Sequence, residues 1–547
     1  MSARERALKF VHDETQFHLG FLPTEQSNPL TANLDKEFEK SKAGGVRCLQ
    51  RVDRNVAAMA RRVFDSSEFE RLVETGLKVI RQGGRVVCSG CGATGRLSIL
   101  LECMWREAAA DSGYADSVAS IMTGGDYALV RSVEFFEDYP KFGQQQVREM
   151  KMTERDMLVA ITEGGETSSV LGTVDECLNL GAAVFLMFNN PADLLAKHLE
   201  RSRRAIEDPR VCVLDLSCGP MALAGSTRMQ ATTSEQLVAG SALETIFCRL
   251  SGKPTINYAA EFEKLLDGLE QPETVNAIAG YIDFEAETYQ RHGKITYYAN
   301  DFMLDIFTDT TERSPTFMLP PFCKTDDHAS PQSWAFVKNP LYPTPDTWRN
   351  LMRRELRCLE WTPEDYQRLG AALEIKKSPP LIRREELLKF AVGNEPSPKR
   401  CNSENDAAVL IRCGRTAPEL APAFAAQTTC YPIRRELVIG SSGGDYNLPL
   451  NLPESPLRIM EHMAVKLVLN TVSTGTMVCL GRVTGNWMSW VDVTNKKLLD
   501  RGIRLLTEIG KIDYEKAAIM LFESIDELSG LSGEKPSAVQ HALAKIR

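Results

Sequence analysis

Five short apolar runs in the first 216 residues constrain the fold more than any other feature of the chain. They are RVVCSG (85–90), SVASIM (117–122), DMLVAIT (156–162), AAVFLMF (182–188) and RVCVLDL (210–216). Each is short for a core helix, none alternates cleanly between apolar and polar residues, and glycines flank several of them. That pattern belongs to strands buried on both faces. Stretches with helical periodicity separate the runs: SEFERLVETGLKVIRQGG before the first, ATGRLSILLECMWREAA after it, SSVLGTVDECLNLG after the third. Strand and helix in alternation predict a parallel α/β sheet with helices on both sides.

At 547 residues the chain has room for more than one such sheet. KITYYAND (294–301), DAAVLIRCG (406–414) and RELVIGSS (435–442) are further strand candidates. A long stretch rich in Pro, Trp and Phe separates the first two and carries no compact Gly turn, so this second unit is not expected to retain a site of its own. Beyond about residue 456 the pattern turns helical. The expected organisation is an irregular N-terminal arm leading into helices (1–62), a first doubly wound α/β domain with the ligand site (63–275), a divergent second one (276–455) and an all-helical C-terminal lid (456–547).

Composition narrows the function. A net charge of −9 gives no electrostatic reason to bind nucleic acid. No apolar run reaches membrane-span length, and MSARERALKF places charges where a secretory signal has its apolar core, so a cytoplasmic protein is expected. The 14 Cys are scattered through apolar stretches, as reduced buried thiols are. One CxxC pair, Cys88 and Cys91, has no partner pair for zinc, and the seven His are dispersed, so neither a metal nor a cofactor is expected.

GCGATGRL (90–97) follows the first strand and opens a helix. Its GxGxxG spacing fits a dinucleotide turn, but the second strand ends in MTGGD without the acidic residue that a ribose requires. A smaller anion fits better. Thr94 puts a hydroxyl at a helix N-terminus, where free N–H groups attract anions. The third strand ends in EGGETSS, with Thr167 again at the start of a helix. Strands of a parallel sheet end on one side, so the two turns can converge on one phosphate; the alternative is that both threonines only cap helices.

These residues resemble the sugar isomerase (SIS) domain proteins, in the branch shared by N-acetylmuramic acid 6-phosphate etherase and the glucokinase regulatory protein. TEQSNPLTANLDK (24–36), GCGATGRL, TGGDYALVRSVEFFED (123–138), GPMALAGSTRMQ (219–230), KLVLNTVSTGTMVCLGRVTGNWM (466–488) and DVTNKKL (492–498) carry the resemblance. It covers 276–455 poorly. About 240 residues separate the GSTRM block from the KLVLN block, as in the regulatory protein with its tandem SIS domains and helical lid.

The resemblance implies ligand contacts from Ala93, Thr94, Glu137, Thr162, Glu163 and Gly164, from Glu312 in the second domain, and from Lys466 in the lid; the two turns themselves add Gly92 and Thr167. Met104 stands where the etherase has one of its two acid–base glutamates, and Glu137 matches the other, so the pair reads as half dismantled. Gln230 replaces a lysine after GSTRM, and Arg228 has two open readings, ligand contact or ion pair. Glu163 and Glu166 would repel a phosphate unless they point away, bind sugar hydroxyls or meet a less anionic ligand. The expected function is a sugar-phosphate-binding regulator taking fructose 6-phosphate, fructose 1-phosphate or an amino-sugar phosphate, with a sugar kinase as partner. The alternative is an etherase-like lyase or isomerase using Glu137, with Glu102 or Glu163 as the replacement base.

Overall fold

The structure, a computed structural model, describes residues 1–493, 495–531 and 535–546. Its frame is two five-stranded sheets, parallel throughout. In the first, β1 (Val86–Gly90), β2 (Val118–Met122), β3 (Met157–Ile161), β4 (Ala183–Phe188) and β5 (Val211–Asp215) lie in the order β2-β1-β3-β4-β5. In the second, β6 (Ile295–Tyr298), β7 (Ala335–Lys338), β8 (Ala407–Cys413), β9 (Ile433–Ile439) and β10 (Tyr446–Leu448) lie in the order β7-β6-β8-β9-β10. The two orders are the same, so the second unit repeats the topology of the first. Both are the α/β architecture expected from the sequence.

All five apolar runs of the first unit are strands, and every residue of β1, β2 and β3 is buried. Two strands of the second unit escape the pattern. AFVK (β7) lies within the Pro- and Trp-rich stretch, and β10 is three residues long at a sheet edge.

The first crossover helix of each unit leans on the other. Gly92–Ala108 follows β1, Met303–Phe317 follows β6, and the two helices touch between the sheets. Each carries a charge into an ion pair with the opposite unit. Arg96, fully buried, pairs with Glu312 and donates to the Ala128 and Leu129 carbonyls. Glu102 takes Arg354 at 3.0 Å and Arg357 at 2.8 Å, besides Arg106 and the Ser120 hydroxyl on its own side.

The C-terminal segment divides in two. Ile459–Cys479 is buried along nearly its whole length and packs on Gln230–Ser251, Pro272–Gln290 and Met303–Phe317, so it is a core helix between the units. Lys496–Gly510, Tyr514–Ser529 and Ala538–Ile546 form a separate bundle, which Ala3–Asp13 completes. The N-terminal arm is thus more ordered than its polar sequence suggests. It also straps the lid down: Glu25 accepts from Arg501 at 2.7 and 3.0 Å and from Arg504 at 2.8 Å, while Thr24 and Asn190 exchange two hydrogen bonds. Among the described residues, no helix is long and apolar enough to cross a membrane.

Candidate ligand site

The site is built at the C-terminal ends of β1 and β3, adjacent strands at the point where the crossovers change direction, where open α/β sheets bind ligands. The strand-to-helix turn is tight. A Cβ on Gly90 would stand 2.4 Å from the Thr94 carbonyl, and Gly92 takes φ +56° in open space. This brings the first turn of Gly92–Ala108 against the strand end. The N–H groups of that first turn have no acceptor within the helix. The Thr94 hydroxyl is engaged within the turn: it accepts from the Cys91 N–H at 3.1 Å and donates to the Cys91 carbonyl at 2.8 Å. It is a cap that shapes the turn.

A cavity of about 90 Å³ opens in front of this turn. Of the residues expected at a site, Gly92, Ala93, Glu137, Glu163, Thr167 and Glu312 line it. Thr162, Gly164 and Thr94 stand behind the wall. The Thr162 hydroxyl donates to Thr167 at 3.0 Å, which fixes the wall residue, and the Gly164 carbonyl accepts from Asn190.

Lys466 is placed elsewhere. It lies on the inward face of Ile459–Cys479 and donates to the Arg228 carbonyl at 2.7 Å; burial, then the Arg228 charge, lower it to about 8. Its apolar neighbours Met463, Leu467 and Leu469 mark burial in the interior and not exposure to a ligand.

The lid lysine at the cavity is Lys497, in the DVTNKKL stretch. Its Nζ stands 3.5 Å from Glu137 and 3.5 Å from Glu166. Burial opposes its charge, yet the Glu137, Glu166 and Glu25 carboxylates hold the ammonium well above its ordinary value. The signal for it was available: a polar NKK triplet beginning a helix in a block already singled out.

The carboxylates are arranged so that they do not all oppose an anion. Glu166 turns away to Arg201, at 2.5 Å; burial would raise its carboxyl, but Lys497 and Arg201 keep it below the ordinary range. Glu312 is engaged by Arg96. Burial pushes Glu163 up to about 7, with Lys497 acting against it. Arg228 pairs with Asp309 at 3.0 Å and donates to Asn470, Ser473 and Thr474, which fixes the ion-pair reading, although it also forms part of the wall. Gln230 is away from the cavity: its amide donates to Asp53 at 2.8 Å and accepts from the Ala222 N–H. Ser226 on the wall is buried, and its hydroxyl has no hydrogen-bond partner among the described residues.

Met104 changes meaning. It does not face this cavity but another, in the second unit. Counting from the strand ends explains why: Met104 stands fourteen residues beyond Gly90, and Glu312 fourteen beyond Tyr298. Because the two helices cross between repeats, each position serves the opposite unit. The carboxylate missing at Met104 is therefore not missing from the first cavity, where Glu312 stands beside Glu137. Glu102 is not a base there, since burial raises its carboxyl but Arg354, Arg357, Ser120 and Arg106 together hold it at about 2.

Residues 68–178 match the family model described as the glucokinase regulatory protein N-terminal SIS domain. The N-acetylmuramic acid 6-phosphate etherase of Lactococcus lactis subsp. lactis is 28% identical over 222 residues, 40% of this chain and 68% of that protein. The etherase of Yersinia pestis is 30% identical over 221 residues, with the same coverage. The solved tagatose-6-phosphate ketose/aldose isomerase of Escherichia coli superposes with a TM-score of 0.40 at 9% identity, over 82% of this chain and 95% of that one. With the two sheets and the converging turns, the family matches leave one assignment: the chain belongs to the SIS-domain family, in the branch that holds the N-acetylmuramic acid 6-phosphate etherases and the glucokinase regulatory protein.

Proposed function

We propose that the protein binds a sugar phosphate in this cavity and acts as a regulator. The phosphate would sit on the N–H groups of Gly92 and Ala93 with the Ser226 hydroxyl, and Lys497 would close over it. Glu137 and Glu163 would accept from sugar hydroxyls. Fructose 6-phosphate, fructose 1-phosphate and an amino-sugar 6-phosphate all carry the required groups.

One observation carries the reading. The wall is contributed by three parts of the chain: the first unit, Glu312 of the second, and Lys497 with Arg501 of the lid. At about 90 Å³ the cavity is smaller than ordinary ligand sites, which run to about 300 Å³ and more, so entry requires the lid to move. Occupancy then couples to lid position, and a partner protein that reads the lid would sense the ligand. A sugar kinase is the partner implied by the family.

Titration calorimetry with the three sugar phosphates, on the wild type and on Lys497→Met, tests the site. Binding by the wild type that falls at least tenfold in the variant supports it. Absence of binding to all three removes it. Capture of a sugar kinase that rises or falls with ligand tests the regulatory half.

A second reading is favoured by Glu163. Its carboxyl, pushed up to about 7, can exchange a proton near neutral pH, and Glu137 and Glu312 line the same cavity as further carboxylates. An etherase would remove the proton beside the sugar carbonyl with one carboxylate and protonate the departing lactyl oxygen with another. Lactate released from N-acetylmuramic acid 6-phosphate, and abolished by Glu137→Gln, would establish this reading; no turnover would leave the regulator.

A further inference from the structure

The repeat places a second cavity, of about 230 Å³, at the C-terminal edge of the second sheet. Its parts correspond to those of the first. The turn after β6 supplies Asn300 and Asp301, the end of β7 supplies Asn339 and Tyr342, and the segment after β10 supplies Arg458 and His462. The crossover helix of the other unit closes it with Met104 and Glu107, as Glu312 closes the first.

Its chemistry differs from that of the first cavity. The β6 turn has no glycine cradle. Asp301 and Asp305 stand at the start of the following helix, where a phosphate would otherwise sit, and repel an anion. Each carboxylate of the lining has a basic side chain against it: Arg458, which pairs with Glu461, stands 3.9 Å from Asp301, the His462 Nδ1 is 2.7 Å from Asp305, and Arg353 is 3.3 Å from Glu107. Carboxylates that already face basic side chains do not form an open cation site either. What it offers is a dense set of hydrogen-bonding groups. The Asn300 amide donates to Asp301 and its carbonyl accepts from Asn339, and Asp305 Oδ1, buried, has no hydrogen-bond partner among the described residues. The polar groups lie beside the Phe302 ring, with the Arg458 guanidinium 4.6 Å from its centroid on one side and the His462 ring at 4.7 Å. Paired carboxylates and amides beside aromatic carbon match the alternating hydroxyls and C–H faces of a sugar.

We propose that this cavity is a second ligand site, taking an uncharged, polyhydroxylated molecule such as an unphosphorylated monosaccharide or polyol. The site is independent of the phosphate site and of the reading given to it.

Calorimetry and hydrogen exchange on the full chain, with D-glucose, D-fructose, sorbitol and N-acetyl-D-glucosamine as probes, test it. One of them is expected to bind saturably, to slow exchange in 299–305 and 339–342, and to remain bound when fructose 6-phosphate is in excess. Met104→Phe, which fills the cavity from the opposite helix without touching its polar groups, is expected to abolish binding. Asp301→Asn keeps the shape and guards against a folding defect in the first variant; it is expected to weaken binding at least tenfold with an unchanged melting temperature. No binding of any probe overturns the proposal. So does binding that survives both variants, that is displaced by fructose 6-phosphate, or that protects 91–93 and 163–167 instead.

Discussion

The two α/β units share one strand order and differ at the turn that follows the central strand. In the first, Gly92 and Ala93 open a helix whose first N–H groups have no acceptor within it, and they line a cavity of about 90 Å³ under the lid. In the second, Asn300-Asp301-Phe302 supplies carboxylate and amide side chains around about 230 Å³. The helices leaving these turns have exchanged duties: Glu312 serves the first cavity and Met104 the second. In a chain carrying both copies, a position can be lost from one repeat and kept in the other. Reading one repeat alone therefore assigns the loss to the wrong site.

The comparison is broken most severely by cutting the charge that ties the repeats. Glu102 is fully buried and holds Arg354 and Arg357 of the other unit. Glu102→Ala strands those guanidiniums and is expected to cost about 3–5 kcal/mol, read as a lower denaturation midpoint. The carboxyl sits at about 2 in the fold, below its ordinary 4.5. Its contribution is therefore fully present above 4.5 and lost as pH falls toward 2. The variant should show a shallower acid limb than the wild type. Equal acid limbs would mean that the network is not what joins the units.

Lys497→Met comes next. It removes the cation facing Glu137 and Glu166 and is expected to weaken fructose 6-phosphate binding by about 10- to 100-fold, since a charge-assisted hydrogen bond contributes about 1.5–3 kcal/mol. Binding of an uncharged sugar to the second unit should be unmoved. A loss at both sites would show that the two cavities are one coupled system.

What the sequence revealed follows the range of the interactions involved. The strands of the first unit have five or six residues, nearly all buried, and glycines flank several of them, so local pattern finds them. β7 and β10 have four and three residues, and only pairing with β6 and β9 makes them strands. The phosphate turn is legible because Gly90, Gly92 and Thr94 act on one another across four residues. Lys497 is not, because it reaches Glu137 from a helix some 360 residues away. Lys466 was the more conspicuous lysine because apolar residues surround it, but an ammonium in that setting bonds a buried carbonyl. The repeat itself was hidden by its insertions: between β7 and β8 the chain makes four short α-helices, from Thr344–Met352 to Arg384–Leu388, where the matching crossover of the first unit has one, Pro140–Glu149.

Glu312→Gln sharpens the exchange between helices. The amide still offers Arg96 an acceptor, so stability should fall by only about 1 kcal/mol, while the first cavity loses one carboxylate. Sugar-phosphate affinity is expected to change less than tenfold, in contrast to Lys497→Met. If the protein turns over N-acetylmuramic acid 6-phosphate, the same variant should instead lower kcat by more than 100-fold with little change in KM, which would mark Glu312 as an acid or base supplied by the second repeat.

The smallest expected effect is also the most diagnostic of the first cavity. Glu163 is buried there with its carboxyl near 7. Below that pH it is neutral and tolerates a phosphate; above it, a negative charge faces the ligand. Sugar-phosphate affinity should therefore decline severalfold between pH 6 and 8. The ligand's own second ionisation, at about 6, falls in the same range, so the wild-type profile alone does not isolate the residue. Glu163→Gln does, because the difference between the two profiles removes the ligand's part. In the unliganded protein the sign is the same: a carboxyl raised from 4.5 to about 7 favours the fold at low pH, and that contribution is lost as pH rises through 7. A variant profile that still declines as steeply as the wild type would place the titrating group outside this wall. A decline that is reduced in the variant would show that the first cavity carries a proton-sensitive group in contact with its ligand.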